Sequence, residues 1–361
     1  MAELSPEVQK QLEEQKANCP FCKIIKGEIE AKKVYEDELI SVILDINPWI
    51  KGHCLVMPKE HYPIMPLIPP ETFNHMFGVM GRLVKAVKES MISTGSNVFI
   101  ANGGIAGQQS PHFLVHLFPR EEHDKLGDKF VLRGKAALDK KKVEEANNML
   151  SANIPIMMNN HFQRNPVQWN PNEIKTADFL ENLEGKKIYE DKKTVVFVPK
   201  SPECIGHVVI FSNEEEKEFE RLSMESCSHL FYVASYTATA VFEGLKAQGT
   251  NIILKTGTSD DNPSGRLEIH VLPRYQDDGL DVLGKPLSEK PNFDEIASKI
   301  KDETFMIEHE MKEKKEKVVV DLDNDKEVIK ETESVEEIIE EEVRHEIVDE
   351  IKEAIERVWD D

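Results

Sequence analysis

The sequence predicts an α+β protein with two tandem domains, each an antiparallel sheet of about five strands with one main helix, followed by an acidic C-terminal helical tail. Three observations predict this architecture. Blocks of residues recur at an offset of 154 positions. Each copy combines short apolar runs, bounded by proline or glycine, with one long stretch of helical periodicity. After Pro291 the chain becomes rich in glutamate.

The internal repeat rests on four blocks of residues that keep one spacing. The segment Pro111–Arg120 corresponds to Gly265–Arg274, so that His116 matches His270. The other matching blocks are Tyr35-Glu36-Asp37 with Tyr189-Glu190-Asp191, Gly52-His53 with Gly206-His207, and Asn97 with Asn251. Because no net insertion separates these blocks, we interpret the chain as a duplication of one domain.

The repeat and the changes in composition divide the chain into five segments. They are a polar N-terminal arm (1–18), a first domain (19–130), a helical and irregular connector (131–185), a degenerate second domain (186–283) and an acidic helical tail (284–361).

In the first copy, apolar runs predict the strands and one periodic stretch predicts the main helix. The helix opens at Pro69, and its apolar residues from Phe73 to Val87 recur every three to four positions, which is typical of a face that packs on a core. The predicted strands are Lys33–Tyr35, Leu39–Asp45, Gly52–Pro58, Asn97–Ala101 and Pro111–Arg120.

In the second copy the same pattern returns. Ser212 and Glu215 have the spacing of a capping box and predict the start of the main helix there. In the connector, residues 136–150 are expected to be helical, and the prolines from Pro155 onward indicate irregular chain. The predicted strands are Lys187–Tyr189, Thr194–Val198, Gly206–Phe211, Asn251–Lys255 and Arg266–Leu272.

The charge and composition exclude several classes of partner. The net charge of −22 over 361 residues comes mostly from residues 301–361, which hold 24 acidic and 10 basic residues. The remainder is only mildly acidic, which argues against nonspecific nucleic-acid binding. No apolar run approaches the ~20 residues of a membrane helix, and the N-terminus is polar, so we expect neither a membrane partner nor a secretory signal. Five cysteines, an odd number, favour a reducing cytoplasm.

The tail carries apolar residues at helical spacing, from Val335 to Val358, among many glutamates. A solvated acidic helix fits this pattern, and so does a packing face for a partner protein or for a second copy of the chain.

Several residues of the first copy have the chemistry of a nucleotide site. Asp45 follows an apolar strand, where its carboxylate can accept hydrogen bonds from two ribose hydroxyls. Taken alone, residues 45–48 also fit an ordinary turn. Gly107 and Gln108 lie in a glycine-rich loop whose backbone N–H groups can face phosphate oxygens. Further donors to the same phosphate are the side chains of Asn102, His53 and His116.

Two other groups of residues leave alternatives open. On a strand, His112, Leu114 and His116 would stand on one face, about 6–7 Å apart, as a functional row or as polar residues of a half-buried strand. Cys19 and Cys22 have the C-x2-C spacing of a zinc site, which needs two more ligands. The alternative is a reduced thiol pair, with His112 lining the pocket.

The first copy resembles the histidine triad (HIT) family over about residues 19–122, and the second copy resembles it more weakly over about 186–276. The motifs that carry the resemblance keep the order and spacing of the family. They are Cys19-x-x-Cys22, Tyr35-Glu36-Asp37, Leu44-Asp45-Ile46-Asn47-Pro48, the segment from Gly52 to His61, Asn102-Gly103, Gly107-Gln108 and the segment from His112 to Arg120. HIT proteins are nucleotide hydrolases and transferases, so the resemblance implies that this chain handles a purine nucleotide.

The main departure from the family lies at Leu114. The family pattern is His-x-His-x-His, and its middle histidine attacks the α-phosphate. Leucine has no lone pair, so the resemblance implies nucleotide binding with weak or absent turnover. In the second copy Pro199 replaces the aspartate and Glu268 replaces the middle histidine. We therefore expect a structural copy that packs on the first as an intramolecular pseudo-dimer, by joining sheets.

The resemblance also implies a metal. In HIT relatives and in the related galactose-1-phosphate uridylyltransferases, a C-x2-C pairs with two histidines. The matching positions here are His61 and His112. A structural zinc held by Cys19, Cys22, His61 and His112 is therefore expected.

Two other functions stay open. One is an active nucleotide phosphoramidase or dinucleotide hydrolase, in which His112, His116 or a metal-bound water does the work of the missing nucleophile. The other is an interaction scaffold that works through the acidic tail.

Overall fold

The protein forms one ten-stranded antiparallel sheet, with its long helices packed on one face. The strand order is β1-β2-β3-β5-β4-β9-β10-β8-β7-β6, so that each copy contributes five adjacent strands. Among the described residues, no helix combines the length and hydrophobicity of a membrane span. The computed structural model describes residues 13–124, 126, 130, 138–164, 183–280, 282–305 and 307.

The elements of the first copy are α1 (Pro20–Ile25), β1 (Lys33–Glu36), β2 (Ile40–Leu44), β3 (Cys54–Pro58), α2 (Pro70–Met91), β4 (Gly95–Asn102) and β5 (Val115–Arg120). A connecting helix, α3 (Lys140–Arg164), follows. The elements of the second copy are β6 (Gly185–Glu190), β7 (Thr194–Pro199), β8 (Val208–Ser212), α4 (Met224–Leu245), β9 (Gly249–Gly257) and β10 (Glu268–Arg274). The last described helix, α5, spans residues 293–305.

The main helices hold the core against one face of the sheet. Strands β2 and β3 are buried along their whole length, as their mostly apolar sequences favour. Helices α2 and α4 pack on each other through aromatic pairs. The ring centroids of Phe73 and Tyr232 lie 4.2 Å apart, and those of Phe77 and Phe231 lie 4.3 Å apart. One apolar cluster therefore spans both copies.

The two copies meet along β4 and β9, which pair antiparallel from Gly95 opposite Gly257 to Asn102 opposite Thr250. A buried ion pair crosses the same boundary, because Arg120 Nη1 lies 2.6 Å from Asp261 Oδ1. The Asn97 side chain donates a further hydrogen bond to this carboxylate at 2.9 Å. These contacts join the two five-stranded halves into one sheet with no free edge between them.

Two helices cross from one copy to the other. Helix α3 follows the first copy but packs on α4 of the second, where Met149 lies against Gly244. Helix α5 follows the second copy but packs on the first, where Thr304 donates a hydrogen bond to the carbonyl of Val34 at 2.7 Å. Ser90 of α2 also donates to the carbonyl of Lys299 in α5. Each copy is therefore completed by a helix that follows the other.

Three element boundaries differ from the sequence expectation. Strand β5 begins at Val115, because Phe113 donates its N–H to the carbonyl of Tyr62 instead of to a neighbouring strand. Pro155 lies inside helix α3, where the burial of neighbouring apolar residues outweighs the backbone hydrogen bond that proline removes. Helix α4 begins at Met224, and Ser223 caps it instead of Ser212.

The α+β class with two tandem antiparallel units is confirmed. The apolar residues of the tail from Val335 onward lie outside the described residues, as do Pro166 and Pro171 of the connector. Within the segment 284–307, Ile296 and Ile300 are buried in the core. The part of the expected tail that the structure describes is therefore packed on the first copy.

Candidate functional site

Four predicted metal ligands lie together beside α1. Cys19 and Cys22 come from the start of this helix, His61 follows β3, and His112 precedes β5. The Cys22 Sγ atom lies 3.3 Å from His61 Nδ1 and 3.5 Å from His112 Nδ1, and Cys19 Sγ lies 3.6 Å from His112 Nδ1. The four ligand atoms all lie within 4.8 Å of one another.

This cluster has the dimensions and the supporting contacts of a zinc site. Sulfur and nitrogen ligands of a tetrahedral zinc are separated by about 3.6 Å. His112 Nε2 donates to the carbonyl of Pro58 at 2.9 Å, which leaves its Nδ1 without a hydrogen and free to ligate. Burial lowers the pKa of His112 to about 4, so its imidazole is neutral. Burial, together with the neighbouring Cys19, raises the pKa of Cys22 to about 12, and thiolates there need a cation beside them.

A second cluster contains His53, His116 and Asp45. The backbone N–H of Trp49 donates to His53 Nδ1 at 3.3 Å, and His53 Nε2 lies 3.0 Å from His116 Nδ1. This pattern assigns the His53 proton to Nε2, which donates to His116, and the His116 proton to Nε2. Burial lowers the pKa of His53 well below 6.5 and that of His116 to about 4. Both rings are therefore neutral, and the Nε2–H of His116 remains as a hydrogen-bond donor.

Asp45 lies at the edge of this histidine pair. Its Oδ1 accepts a hydrogen bond from the backbone N–H of Asn47 at 2.8 Å, which forms the turn that its sequence also suggests. Its Oδ2 lies 3.5 Å from His53 Nδ1. Burial raises the pKa of Asp45. The two imidazoles bond directly to each other, and His53 Nδ1 already accepts the Trp49 N–H, so the proximity of Asp45, His53 and His116 does not by itself indicate a metal.

The loop after β4 is held by its own hydrogen bonds. Gln108 Oε1 accepts from the N–H of Gly103, and Gln108 Nε2 donates to the carbonyls of Pro63 and Ser110. The N–H groups of Gly107 and Gln108 donate to carbonyls of the same loop. Asn102 donates to Thr250 Oγ1 of the second copy at 3.3 Å. In this conformation Asn102 and Gln108 build the loop, and among the described residues no hydrogen bond joins their side chains to the histidine pair.

Trp49 covers the histidine pair, a contact that the sequence analysis missed. Its indole stacks on the ring of His116 at a centroid distance of 5.7 Å and on Phe118 at 5.2 Å. A Cβ atom at Gly284 would collide with this indole, so the chain that follows the second copy runs directly over it. An isolated tryptophan four residues before His53 was the only local signal.

Residues 283–287 form a strap over the same edge of the first copy. A Cβ atom at Gly107 would collide with Leu283, so the strap also touches the glycine-rich loop. The N–H of Leu287 donates to the carbonyl of Pro48 at 2.8 Å. Nothing in the local sequence of the strap indicates these contacts, because its partners lie far away in the chain.

A partly buried apolar surface adjoins Leu114. Leu114, Phe21 and Ile25 pack, only partly buried, against the buried residues Ile43 and Met57. We call these five residues the apolar slot. It lies on the sheet face opposite the main helices, and its Phe21 lies beside His112 of the Cys/His cluster, with ring centroids 6.1 Å apart. Leu114 lines it at the position where the family resemblance places a nucleophile.

The HIT domain model matches residues 26–123 and 181–277, which together exceed half of the chain. The chain belongs to the HIT family. The two matches confirm that this HIT protein contains two HIT domains in tandem, as the internal repeat predicts. We refer to them as the first and second HIT domains.

Several known proteins are similar to part of this HIT protein. An uncharacterized HIT-like protein of Methanocaldococcus jannaschii is 43% identical over 106 residues, which are 29% of this chain and 81% of that protein. An adenylylsulfatase of Arabidopsis thaliana is 39% identical over 107 residues, 30% of this chain and 54% of that protein. An adenosine 5'-monophosphoramidase of Saccharomyces cerevisiae is 39% identical over 106 residues, 29% of this chain and 65% of that protein. The match therefore spans less than two thirds of each of the two enzymes.

Among solved structures, a Zn-bound histidine triad family protein from Mycobacterium smegmatis is 38% identical. The match covers 31% of this chain and 81% of that chain, with a TM-score of 0.29.

Proposed function

We propose that the first HIT domain binds a purine nucleotide and turns it over weakly or not at all. The observation that carries this proposal is the combination of His116, whose hydrogen bond from His53 leaves its Nε2–H as a donor, with an apolar Leu114 two residues before it. The donor can bind a phosphate oxygen, whereas no atom at position 114 can attack the phosphorus.

The surrounding residues suggest how the ligand is held. His116 Nε2–H donates to an α-phosphate oxygen, and the free oxygen of Asp45 accepts from the ribose hydroxyls. The apolar slot offers a surface on which a purine can lie. The loop at Gly107 and Gln108 would meet the phosphate only by giving up some of its internal hydrogen bonds.

Binding and turnover are tested separately. Calorimetry should detect AMP or GMP binding at millimolar nucleotide or below, and absence of any binding would remove the proposal. In an adenosine phosphoramidate assay, Leu114→His should raise turnover by at least about 100-fold, since it restores a nucleophilic nitrogen. The matched control Leu114→Phe should bind nucleotide less well and gain no turnover.

The second candidate is an active phosphoramidase or dinucleotide hydrolase. It is favoured by the similarity to the yeast adenosine 5'-monophosphoramidase. In this case the wild-type chain should turn over adenosine phosphoramidate, and His116→Ala should abolish that turnover. Activity in the wild type that survives further purification and disappears in this variant would replace our first proposal.

We also propose that Cys19, Cys22, His61 and His112 hold a structural zinc. When bound, zinc would tie α1 to the ends of β3 and β5 and add stability to the fold. Metal analysis should find about one zinc per chain, and Cys22→Ser should lose it. Cys54→Ser is the control, because Cys54 is equally buried but lies outside the cluster. A metal-free wild-type protein purified without chelator would contradict this assignment.

Finally, we propose that the second HIT domain is structural and stands in for the partner of a dimer. The antiparallel pairing of β4 with β9 and the exchange of α3 and α5 support this interpretation. The proposed limits of the two domains remain residues 19–130 and 186–283, with the exchanged helices outside them. A cytoplasmic location remains an expectation from the cysteine count.

A further inference from the structure

The second HIT domain repeats the histidine pair of the first. The N–H of Glu203 donates to His207 Nδ1 at 3.2 Å, and His207 Nε2 lies 2.9 Å from His270 Nδ1. The corresponding distances in the first domain are 3.3 Å and 3.0 Å. The two imidazole pairs are therefore arranged alike, and His270 directs its Nε2 atom as His116 does.

The two domains differ in the group that lies beside the Nε2 atom of His116 or His270. In the second domain, His270 Nε2 lies 3.0 Å from Glu268 Oε1, a hydrogen-bonding distance. Glu268 occupies the position that Leu114 has in the first domain, at the repeat offset of 154. The carboxylate group of Glu268 is an oxyanion of about the size of formate. The protein's own side chain therefore supplies an anion to the N–H donor of His270.

The charges around Glu268 favour an anion. Lys255 Nζ lies 4.0 Å from Glu268 Oε1 and 3.6 Å from Asp261 Oδ2, and its side chain is only 4% exposed. Burial would raise the pKa of Glu268, but His270 and Lys255 outweigh burial and lower this pKa. Glu268 is therefore an ionised carboxylate that a buried ammonium and an imidazole N–H both face.

The apolar side of the second pocket is filled as well. Phe197 and Phe211 stand where the apolar slot of the first domain has Ile43 and Met57, at the same offset. Both phenylalanines are buried, and their rings meet edge to face at 6.1 Å. In the second domain, the rings of Phe197 and Phe211 therefore replace the smaller residues of the apolar slot. The Glu268 carboxylate occupies the place beside the histidine where the first domain has Leu114.

We propose that Glu268 is an internal ligand: the second HIT domain keeps an oxyanion site at His270 and Lys255, and the protein fills it with its own carboxylate. A small external oxyanion of the carboxylate class binds there only when Glu268 is removed. This inference concerns the second domain and stands independently of nucleotide binding by the first.

Chemical rescue of Glu268→Ala in the full-length chain tests this inference. Thermal melting is followed at pH 7.5 in sodium formate and in sodium chloride of equal ionic strength. Formate should raise the melting temperature of the variant by about 2–5 °C over chloride, with saturation. The wild type and Glu268→Gln, whose sites stay filled, should respond equally to both salts. Adding His270→Ala to Glu268→Ala should remove the rescue.

Two results would overturn the inference. One is a Glu268→Ala protein that melts alike in formate and chloride. The other is a double variant that formate stabilises as much as the single one. If Glu268→Ala does not fold, Glu268→Leu takes its place, because leucine already stands beside the equivalent histidine pair in the first domain. If Glu268→Leu had the same melting temperature in formate and in chloride, this result would equally refute the proposal that Glu268 is an internal ligand.

Discussion

His112 and His116 stand only four residues apart, yet the fold uses them in different places. His112 turns its Nδ1 atom to Cys19 and Cys22, whereas His116 accepts a hydrogen bond from His53. Leu114, between them, lines the apolar slot. At the scale of single residues, the two histidines of one sequence motif therefore belong to different groups: His112 to the Cys/His cluster and His116 to the histidine pair.

The buried neutral histidines predict a pH-dependent stability. Burial lowers the pKa of His116 from 6.5 to about 4, while the unfolded chain titrates near 6.5. Between these values the unfolded state binds a proton that the folded state does not. The contribution of neutral His116 to the free energy of unfolding should therefore be complete above about pH 6.5. The free energy of unfolding should fall by roughly 2–3 kcal/mol as the pH drops to 4. Urea denaturation at a series of pH values measures it.

The variant His116→Phe keeps a ring under Trp49 but cannot titrate. Its unfolding free energy should depend less steeply on pH than that of the wild type over the same interval. Identical slopes in the two proteins would show that His116 does not cause the effect.

At the scale of elements, the ends of helices and loops carry the conformational strain. Helix α2 is followed by its capping residue Ile92, which has φ 56° and is 88% exposed. The equivalent residue after α4 is Lys246, with φ 54°. Left-handed backbone is costly for side chains and most costly for β-branched ones. Glycine is the usual residue at this position of a helix end.

Ile92→Gly should stabilise the protein. The substitution removes the strain of a β-branched residue and gives up no burial, so we expect a gain of about 0.5–1 kcal/mol in the free energy of unfolding. Lys246→Gly is the matched control and should gain less, because lysine is unbranched at Cβ. Chemical denaturation of both variants measures the difference, and a destabilised Ile92→Gly would contradict this account.

The loop after β4 allows a second matched comparison. Gly107 has φ 94° and touches Leu283 of the strap, whereas Gly104 has open space around the position of a Cβ atom. Gly107→Ala should lower the free energy of unfolding by about 2 kcal/mol. Gly104→Ala should change it by less than about 0.5 kcal/mol. Equal effects in the two variants would argue against the strap contact.

At the scale of the whole molecule, three kinds of contact make the halves one unit. The sheet is continuous through β4 and β9, α3 and α5 are exchanged, and Arg120 with Asp261 forms an ion pair without exposure to solvent. Arg120 also pairs with the buried Asp124, and Asp261 also faces Lys255, so removing Asp261 takes one of the carboxylates from a buried cluster of charges. The two HIT domains should therefore unfold together.

Asp261→Ala should lower the free energy of unfolding by about 2–4 kcal/mol, because Arg120 and Lys255 lose a buried counter-charge and the Asn97 amide loses its acceptor. Its neighbour Asp260 is the control. The Asp260 carboxylate is 29% exposed and faces the exposed His123, so Asp260→Ala should cost less than about 1 kcal/mol. Tryptophan fluorescence and circular dichroism should report one coincident transition in the wild type. Two separate transitions would show that the domains unfold independently.

The sequence by itself determined the duplication, the antiparallel α+β units and the chemical types of the candidate residues. These properties are local or periodic, so a constant offset, an alternation of strands and a stripe of apolar residues reveal them. The grouping of Cys19, Cys22, His61 and His112 could also be expected, but only from the family resemblance.

Only the tertiary structure decided which residues meet across the two domains. It placed Trp49 under Gly284, Leu283 against Gly107, and α3 and α5 on opposite domains. It also placed the Glu268 carboxylate beside His270, whereas Leu114 puts no carboxylate beside the equivalent His116. These contacts join residues that are far apart in the chain, and they depend on side-chain packing, which leaves no periodic trace in a single sequence.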